Sequence, residues 1–120
     1  METPKIFESE YRFCLILWDN EPVSSGKLVQ LAKDALGWSK ATTYTVIRRL
    51  SERGVLKNEN TIVSSLISKE EAQKHRLEEM MEETFEGSMP AFIAAFSKTK
   101  KLTRQEVDQL RALIDSFEEE

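Results

Sequence analysis

Apolar residues recur at helical spacing in three successive segments of the N-terminal half of the chain. In the first segment, Tyr11, Cys14 and Trp18 fall on one stripe, which predicts a helix over residues 8–18. Two further repeats with the same period lie within residues 25–53. The chain therefore begins with three amphipathic helices, each of which has one side to bury.

The limits of the second and third helices can be predicted from residues that favour helix ends. Ser24 and Ser39 each precede a helical repeat, and serine is a preferred N-cap residue. Gly37 and Gly54 follow the repeats, and glycine readily adopts the left-handed conformation that ends many helices. We therefore expect one helix between Ser24 and Gly37 and another between Ser39 and Gly54.

The period then changes from that of a helix to that of a strand. Residues 55–57 and 61–67 are rich in residues that favour β-structure, and the turn-prone residues 58–60 lie between them. This pattern predicts a short β-hairpin.

Helical spacing returns in the second half of the chain. Ser68 with Glu71 and Thr103 with Glu106 fit capping boxes, which predict helix starts at these two places. Gly87 separates the first of these helices from a short apolar stripe. We expect three helices here, and their apolar positions are Leu77, Met80, Met81, Phe85, Phe92, Phe96, Leu110, Leu113, Ile114 and Phe117.

Three helices followed by a hairpin is the order of a winged helix-turn-helix. The predicted fold class is mainly α with a small β-hairpin wing (α+β), with a winged-helix DNA-binding domain over residues 1–67 and a helical dimerisation region over residues 68–120. Three helices without a second layer leave apolar stripes uncovered, and a two-fold copy would cover them. We therefore expect a homodimer that uses the ten apolar positions above.

Charge is distributed unevenly along the chain. The net charge is -4. Residues 22–57 nevertheless contain seven basic and two acidic residues, a net +5, whereas residues 68–120 contain eight basic and thirteen acidic residues, a net -5. A local basic patch, more than the total charge, decides where phosphates bind. The predicted winged helix is the basic part of an acidic chain.

The third predicted helix has the properties of a recognition helix. Thr43, Val46, Ile47 and Leu50 form an apolar face, and residues 40–49 contain no acid, which suits approach to a polyanion. We expect double-stranded DNA as a partner, contacted by Lys27, Ser39, Lys40, Ala41, Thr42, Tyr44, Thr45, Arg48, Arg49 and Lys57. Lys57 is the only wing cation that we expect near DNA.

Several function classes are not supported by the sequence. One cysteine and one histidine, far apart, do not form a Cys/His zinc site or a nucleophile–histidine pair, and there is no glycine-rich phosphate loop. No apolar run approaches the ~20 residues that span a bilayer. We predict a cytoplasmic protein that is not an enzyme, has no cofactor or metal, and does not insert into membranes. We expect Cys14, Trp18 and Trp38 to pack in the core.

The residues from Trp38 to Leu50, followed by Arg53-Gly54, resemble the recognition-helix signature of the penicillinase-repressor family (BlaI/MecI/CopY). The similarity continues at Leu17-Trp18 with Pro22-Val23-Ser24, at residues 66–71, and at residues 94–96 and 101–110. It therefore covers nearly the whole chain as an ordered set of short motifs.

The resemblance implies a homodimeric transcriptional repressor that binds a palindromic operator. In the β-lactamase branch of the family, a sensor-linked protease cuts the repressor next to a phenylalanine, which corresponds here to Ala95 and Phe96. This chain has Ala95 where those repressors carry asparagine. The copper-responsive branch ends in a cysteine cluster, which this chain lacks.

The sequence is also compatible with a second function. The hairpin is shorter than is usual in the family, Tyr44 and Ala41 stand where basic residues are common, and the C-terminal half is acidic. These features also fit a winged-helix protein-interaction module without specific DNA binding.

Overall fold

A computed structural model describes residues 3–117 of the chain. Six helices and three short strands follow one another in the order predicted, with one additional strand. They are α1 (Glu8–Asn20), β1 (Val23–Ser24), α2 (Ser25–Leu36), α3 (Lys40–Glu52), β2 (Leu56–Glu59), β3 (Ile62–Ser65), α4 (Lys69–Phe85), α5 (Met89–Thr99) and α6 (Arg104–Phe117). The fold is mainly α with a small β-hairpin wing, a winged helix followed by a helical tail, as the sequence predicts.

The helix ends follow the predicted capping residues. Ser24 Oγ accepts from Lys27 N at 3.1 Å, and Gly37 ends α2 with φ 72°. At the end of α3, Gly54 has φ 81°, Gly54 N donates to Ser51 O and Val55 N donates to Leu50 O. This pair of bonds is a Schellman motif, which requires the left-handed backbone that glycine adopts without strain.

Both predicted capping boxes are present in the second half. Glu71 N donates to Ser68 Oγ at 3.1 Å, while Ser68 N donates to the Glu71 carboxylate at 3.3 Å. Thr103 and Glu106 make the same reciprocal pair at 3.1 and 3.0 Å. The hydrogen bonds from Thr103 lower the pKa of Glu106, because they favour its charged form.

The hairpin turn lies further along the chain than the sequence indicated. Asn58 and Glu59, predicted as turn residues, instead pair with Val63 and Ile62 as part of β2. Only Asn60 and Thr61 remain for the loop, with φ values of 52° and 67°. Positive φ at both loop residues is typical of two-residue hairpins, whose twist matches that of the strands.

A third strand, which sequence periodicity did not reveal, completes the sheet. β1 pairs antiparallel with β3 through Val23 and Val63, so that the strand order is β1-β3-β2. The Glu21 carboxylate, at the C-terminal end of α1, accepts from Ser65 N at 2.7 Å. The hairpin is therefore joined to the helices by backbone pairing and by a carboxylate.

One core fills the space between α1, α2, α3 and the sheet. Phe13, Leu17, Leu28 and Leu50 are fully buried in it. Trp38 stacks on Phe13 with ring centroids 5.6 Å apart. Trp18 packs against the core and donates Nε1–H to Ile67 O at 3.0 Å, so both tryptophans pack as predicted.

Cys14 is also part of this core and is 1% exposed. Burial, with the negative charge of Glu10 as the next cause, raises the pKa of its thiol to about 12. The thiol therefore stays protonated at neutral pH and acts as a small apolar side chain, as predicted.

The chain divides into two compact units between Leu77 and Glu78. In the first unit, the start of α4 packs on α1, where the Arg76 guanidinium lies 3.9 Å from the centre of the Tyr11 ring and 2.9 Å from the Glu8 carboxylate. The second unit contains the rest of α4 with α5 and α6, and its aromatic contacts are Phe85–Phe92 and Phe92–Phe96.

Candidate nucleic-acid interface

The orientation of α3 is set by its apolar face. Thr43, Val46, Ile47 and Leu50 are all buried, as the sequence predicts. Val46 and Ile47 follow Thr43 by three and four residues and precede Leu50 by four and three, so all four share one side of the helix and leave the other side to solvent.

The N-terminal end of α3 is fixed by hydrogen bonds between residues three or four positions apart. Ser39 Oγ accepts from Thr42 N at 3.1 Å and lies 3.0 Å from Thr42 Oγ1. Thr43 Oγ1 donates to Ser39 O at 3.2 Å. The first turn contains no acidic side chain, so the positive end of the helix dipole is unopposed there.

The outer side of α3 displays the residues predicted to contact DNA. Thr45 is half-buried at its edge, and Tyr44 is 38% exposed. The exposed members are Ser39, Lys40, Ala41, Thr42, Tyr44, Arg48 and Arg49. They form a continuous polar and basic surface along one helix.

Two predicted DNA contacts lie outside α3 and its N-cap. Lys27 is exposed on the first turn of α2, and Lys57 is exposed on β2 of the wing. A depression of about 330 Å³ separates α3 from the wing, with Tyr44, Arg48, Glu52 and Asn58 among the residues that line it. The wing and the outer side of α3 are therefore neighbouring surfaces.

Two of the exposed cations have carboxylate partners that sequence reasoning did not identify. Arg48 Nε lies 3.9 Å from Glu52 Oε1, one helical turn further along α3. Lys57 Nζ lies 3.3 Å from Glu59 Oε1 on the same strand. The i,i+4 spacing of Arg48 and Glu52 is a signal that could have indicated the first pair.

Arg53 is the one cation of the α3 segment that turns inward. Its guanidinium pairs with the buried Glu10 carboxylate, donates to Lys5 O at 2.7 Å and lies 5.3 Å from the centre of the Phe7 ring. Glu10 also accepts from Phe7 N at 2.9 Å. Although it adds to the basic character of the segment, Arg53 connects the end of α3 to the start of α1.

The apolar residues predicted for dimerisation differ in exposure within the single chain. Met81 is buried, whereas Met80, Phe85, Phe92 and Leu110 are half-buried. Five are exposed by 40–65%: Leu77, Phe96, Leu113, Ile114 and Phe117. A cavity of about 340 Å³ between α5 and α6 is lined mainly by apolar residues, among them Phe92, Phe96, Leu110 and Leu113.

Comparison with known proteins decides the family. The sequence profile described as Penicillinase repressor matches residues 6–116. The chain belongs to the penicillinase-repressor family. Members of this family are transcriptional repressors, which agrees with the resemblance found in the sequence.

Curated members of the family align with this chain over nearly their full lengths. The methicillin resistance regulatory protein MecI of Staphylococcus aureus is 22% identical over 118 residues, which cover 95% of this chain and 96% of that protein. The MecI protein of Mammaliicoccus sciuri is 21% identical with the same coverage. A penicillinase repressor of Staphylococcus aureus is 23% identical over 94% of this chain and 93% of its own length.

No helix within residues 3–117 is both long enough and apolar enough to cross a membrane.

Replacing Glu10 by glutamine should destabilise the first unit, because Arg53 would keep a largely buried charge without its counter-ion. Arg53 retains 28% side-chain exposure, so we expect a loss of about 2–3 kcal/mol in the free energy of unfolding, below the range for fully buried pairs. Urea denaturation followed by tryptophan fluorescence measures this loss.

The matched control is Glu8→Gln, which removes the exposed partner of Arg76. Surface pairs contribute less than about 1 kcal/mol, so this variant should unfold close to the unmodified chain. Equal losses in the two variants would contradict the structural role given to Glu10.

Proposed function

We propose that this chain is a homodimeric transcriptional repressor that binds a palindromic operator through α3 and the wing. The observation that carries the proposal is the division of α3 into a buried apolar side and an exposed side without acids through residues 40–49. Residues 1–67 would bind DNA and residues 68–120 would form the dimer.

The side chains of α3 can be assigned roles from the usual geometry of a recognition helix. The N-terminal residues of such a helix meet base edges in the major groove. Thr42 and Thr45 offer hydroxyl and methyl groups for phosphates or a thymine methyl, and Tyr44 adds a ring and a hydroxyl. Lys40, Arg48 and Arg49 would pair with phosphates, or an arginine would bind a guanine edge.

The substitutions Arg48→Ala and Arg49→Ala should weaken operator binding. Where the arginine contacts a base, we expect a loss of roughly 1–3 kcal/mol in the free energy of binding. Where it contacts a phosphate, the slope of the logarithm of the association constant against the logarithm of the salt concentration should become shallower by about 0.9. Fluorescence anisotropy with DNA from upstream of the chain's own gene, titrated at several salt concentrations, measures both quantities.

Arg111→Ala is the control for that titration, because it removes one exposed arginine from α6 instead of from α3. It should bind DNA like the unmodified chain. Specific binding that is absent at low salt would instead favour a protein-interaction module, the second function that the sequence left open.

The dimer would form through the apolar residues that the second unit leaves exposed. Leu113, Ile114 and Phe117 are each more than half exposed on α6, and the cavity between α5 and α6 opens beside Leu113. A two-fold copy would cover these side chains and would separate two recognition helices by one helical turn of DNA or a multiple of it, ~34 Å per turn.

Leu113→Glu should convert the dimer to a monomer. The change removes about 1.5–3 kcal/mol of apolar burial and places a charge in the interface, so the dissociation constant should rise at least about a hundredfold. Sedimentation equilibrium measures this change. Ala112→Glu, which points about 100° away around α6, should leave the dimer intact, and a dimer that survives Leu113→Glu would refute this interface.

Repression would end when a sensor-linked protease cuts between Ala95 and Phe96. Both residues lie within α5. Phe96 O accepts from Lys100 N at 3.0 Å and from Thr99 Oγ1 at 2.8 Å. Cutting therefore requires the last turns of α5 to unwind, and it would separate α6 from α4 and divide the dimer region.

We expect an extract of induced cells to cut the purified chain into two fragments, one that ends at Ala95 and one that begins at Phe96. Intact-mass spectrometry measures both fragments. The names of the relatives indicate a β-lactam as the inducer to use. Phe96→Ala should resist cutting, whereas Phe92→Ala, which removes another phenylalanine from α5, should still be cut. A chain that stays whole under induction would exclude this route.

A further inference from the structure

Two acidic residues lie on the surface that the proposed function assigns to DNA. Glu52 is exposed at the C-terminal end of α3, and Glu59 is exposed at the end of β2. Glu52 follows Arg48 by four residues on a helix, and Glu59 follows Lys57 by two residues on a strand. Either spacing places the acid on the same side as the cation.

These two ion pairs are too exposed to contribute much to the stability of the fold. The side chains of Arg48 and Glu52 are 70% and 69% exposed, and those of Lys57 and Glu59 are 50% and 68% exposed. Exposed pairs of this kind contribute little to folding, because water screens them and both side chains lose rotamer freedom. The free energy of unfolding should therefore hardly depend on either carboxylate.

Their effect on a bound polyanion would be larger. A phosphate that approaches Arg48 or Lys57 also meets the negative charge of a carboxylate 3.9 or 3.3 Å from the cation, and that charge repels the phosphate. Glu52 lines the depression between α3 and the wing, so its charge faces the space between the two DNA-binding elements.

The position of Glu52 at the end of α3 separates it from the part of the helix that would read bases. Glu52 lies twelve positions after Lys40 on the helix, which corresponds to about 18 Å along the axis. The N-terminal half of α3, which would meet base edges, contains no acid. The Glu52 carboxylate therefore opposes peripheral phosphate contacts more than base contacts, and Glu59 lies outside α3, on the wing.

We propose that Glu52 and Glu59 are specificity-determining residues, whose charges beside Arg48 and Lys57 weaken binding to non-operator DNA more than binding to the operator. The proposal rests on the proposed DNA-binding function. Non-specific binding depends almost entirely on phosphate contacts, whereas operator binding adds base-edge contacts that these acids do not touch.

The test compares Glu52→Gln, Glu59→Gln and the double variant with the unmodified chain on two labelled duplexes. One duplex has a scrambled sequence, and the other is the sequence that the unmodified chain enriches from a random pool. Glutamine keeps the size and polarity of the side chain and removes only the charge. Equal melting temperatures establish that all variants are folded.

We expect the double variant to bind the scrambled duplex at least about tenfold more tightly, at about threefold for each charge removed. Binding to the enriched duplex should tighten less, so that the ratio of the two affinities falls. The slope of the logarithm of the association constant against the logarithm of the salt concentration should become steeper by up to about 0.9 for each cation that reaches a phosphate.

The matched control is a double variant with Glu78→Gln and Glu83→Gln, which makes the same change in net charge at exposed positions of α4. It should leave the ratio of the two affinities unchanged.

Three results would overturn the proposal while the DNA-binding function stands. They are an equal gain on both duplexes, an effect no larger than that of the control, and a loss of affinity for the enriched duplex, which would mean that an acid contacts the operator directly. If the unmodified chain binds neither duplex in a salt-dependent way, the DNA-binding function fails as well, and the two failures are distinguished by that measurement.

Discussion

The burial of one side of α3 is the constraint on which the first unit depends. Thr43, Val46, Ile47 and Leu50 fill the core that α1, α2 and the sheet surround, so α3 cannot rotate about its axis without exposing them. Because rotation is blocked, the residues between the buried positions have to face solvent. The same packing that stabilises the unit therefore presents Lys40, Tyr44 and the two arginines in a fixed arrangement.

Polar contacts add direction to this packing at two places where the apolar core ends. Arg53 joins the end of α3 to Glu10 near the start of α1, and Glu21 joins the end of α1 to Ser65 in β3. Apolar contacts are non-directional, whereas a charged hydrogen bond fixes the relative position of the groups that make it. These contacts limit how α3 and the wing shift against α1.

The exposed surfaces of the two units differ in character. The surface of α3 and the wing is largely polar, with Tyr44 and Ile62 exposed on it, and carries both signs of charge, whereas α6 exposes three large apolar side chains along one side. Polar and charged groups suit a solvated partner such as DNA, and a large exposed apolar patch marks a protein interface. This difference is the physical basis for assigning DNA binding and dimerisation to different parts of one short chain.

The sequence alone determined the order of the helices, the capping residues of α2, α3, α4 and α6, the apolar side of α3 and the family, because each depends on local spacing or on short motifs. It did not determine the two-residue loop at Asn60 and Thr61 or the strand at Val23 and Ser24, since a two-residue strand has no period and exists only through its pairing with β3. Nor did it show that Arg53 faces Glu10 while Arg48 faces solvent.

Arg48 lies within α3 and Arg53 caps its C-terminal end, and only the tertiary structure separates the roles of these two arginines. The residue that meets each guanidinium comes from a different place in the chain: 43 residues away for Arg53 and four residues away for Arg48. Charge patterning counted both as part of one basic segment. Packing decided which charge is used inside the fold and which remains on the surface.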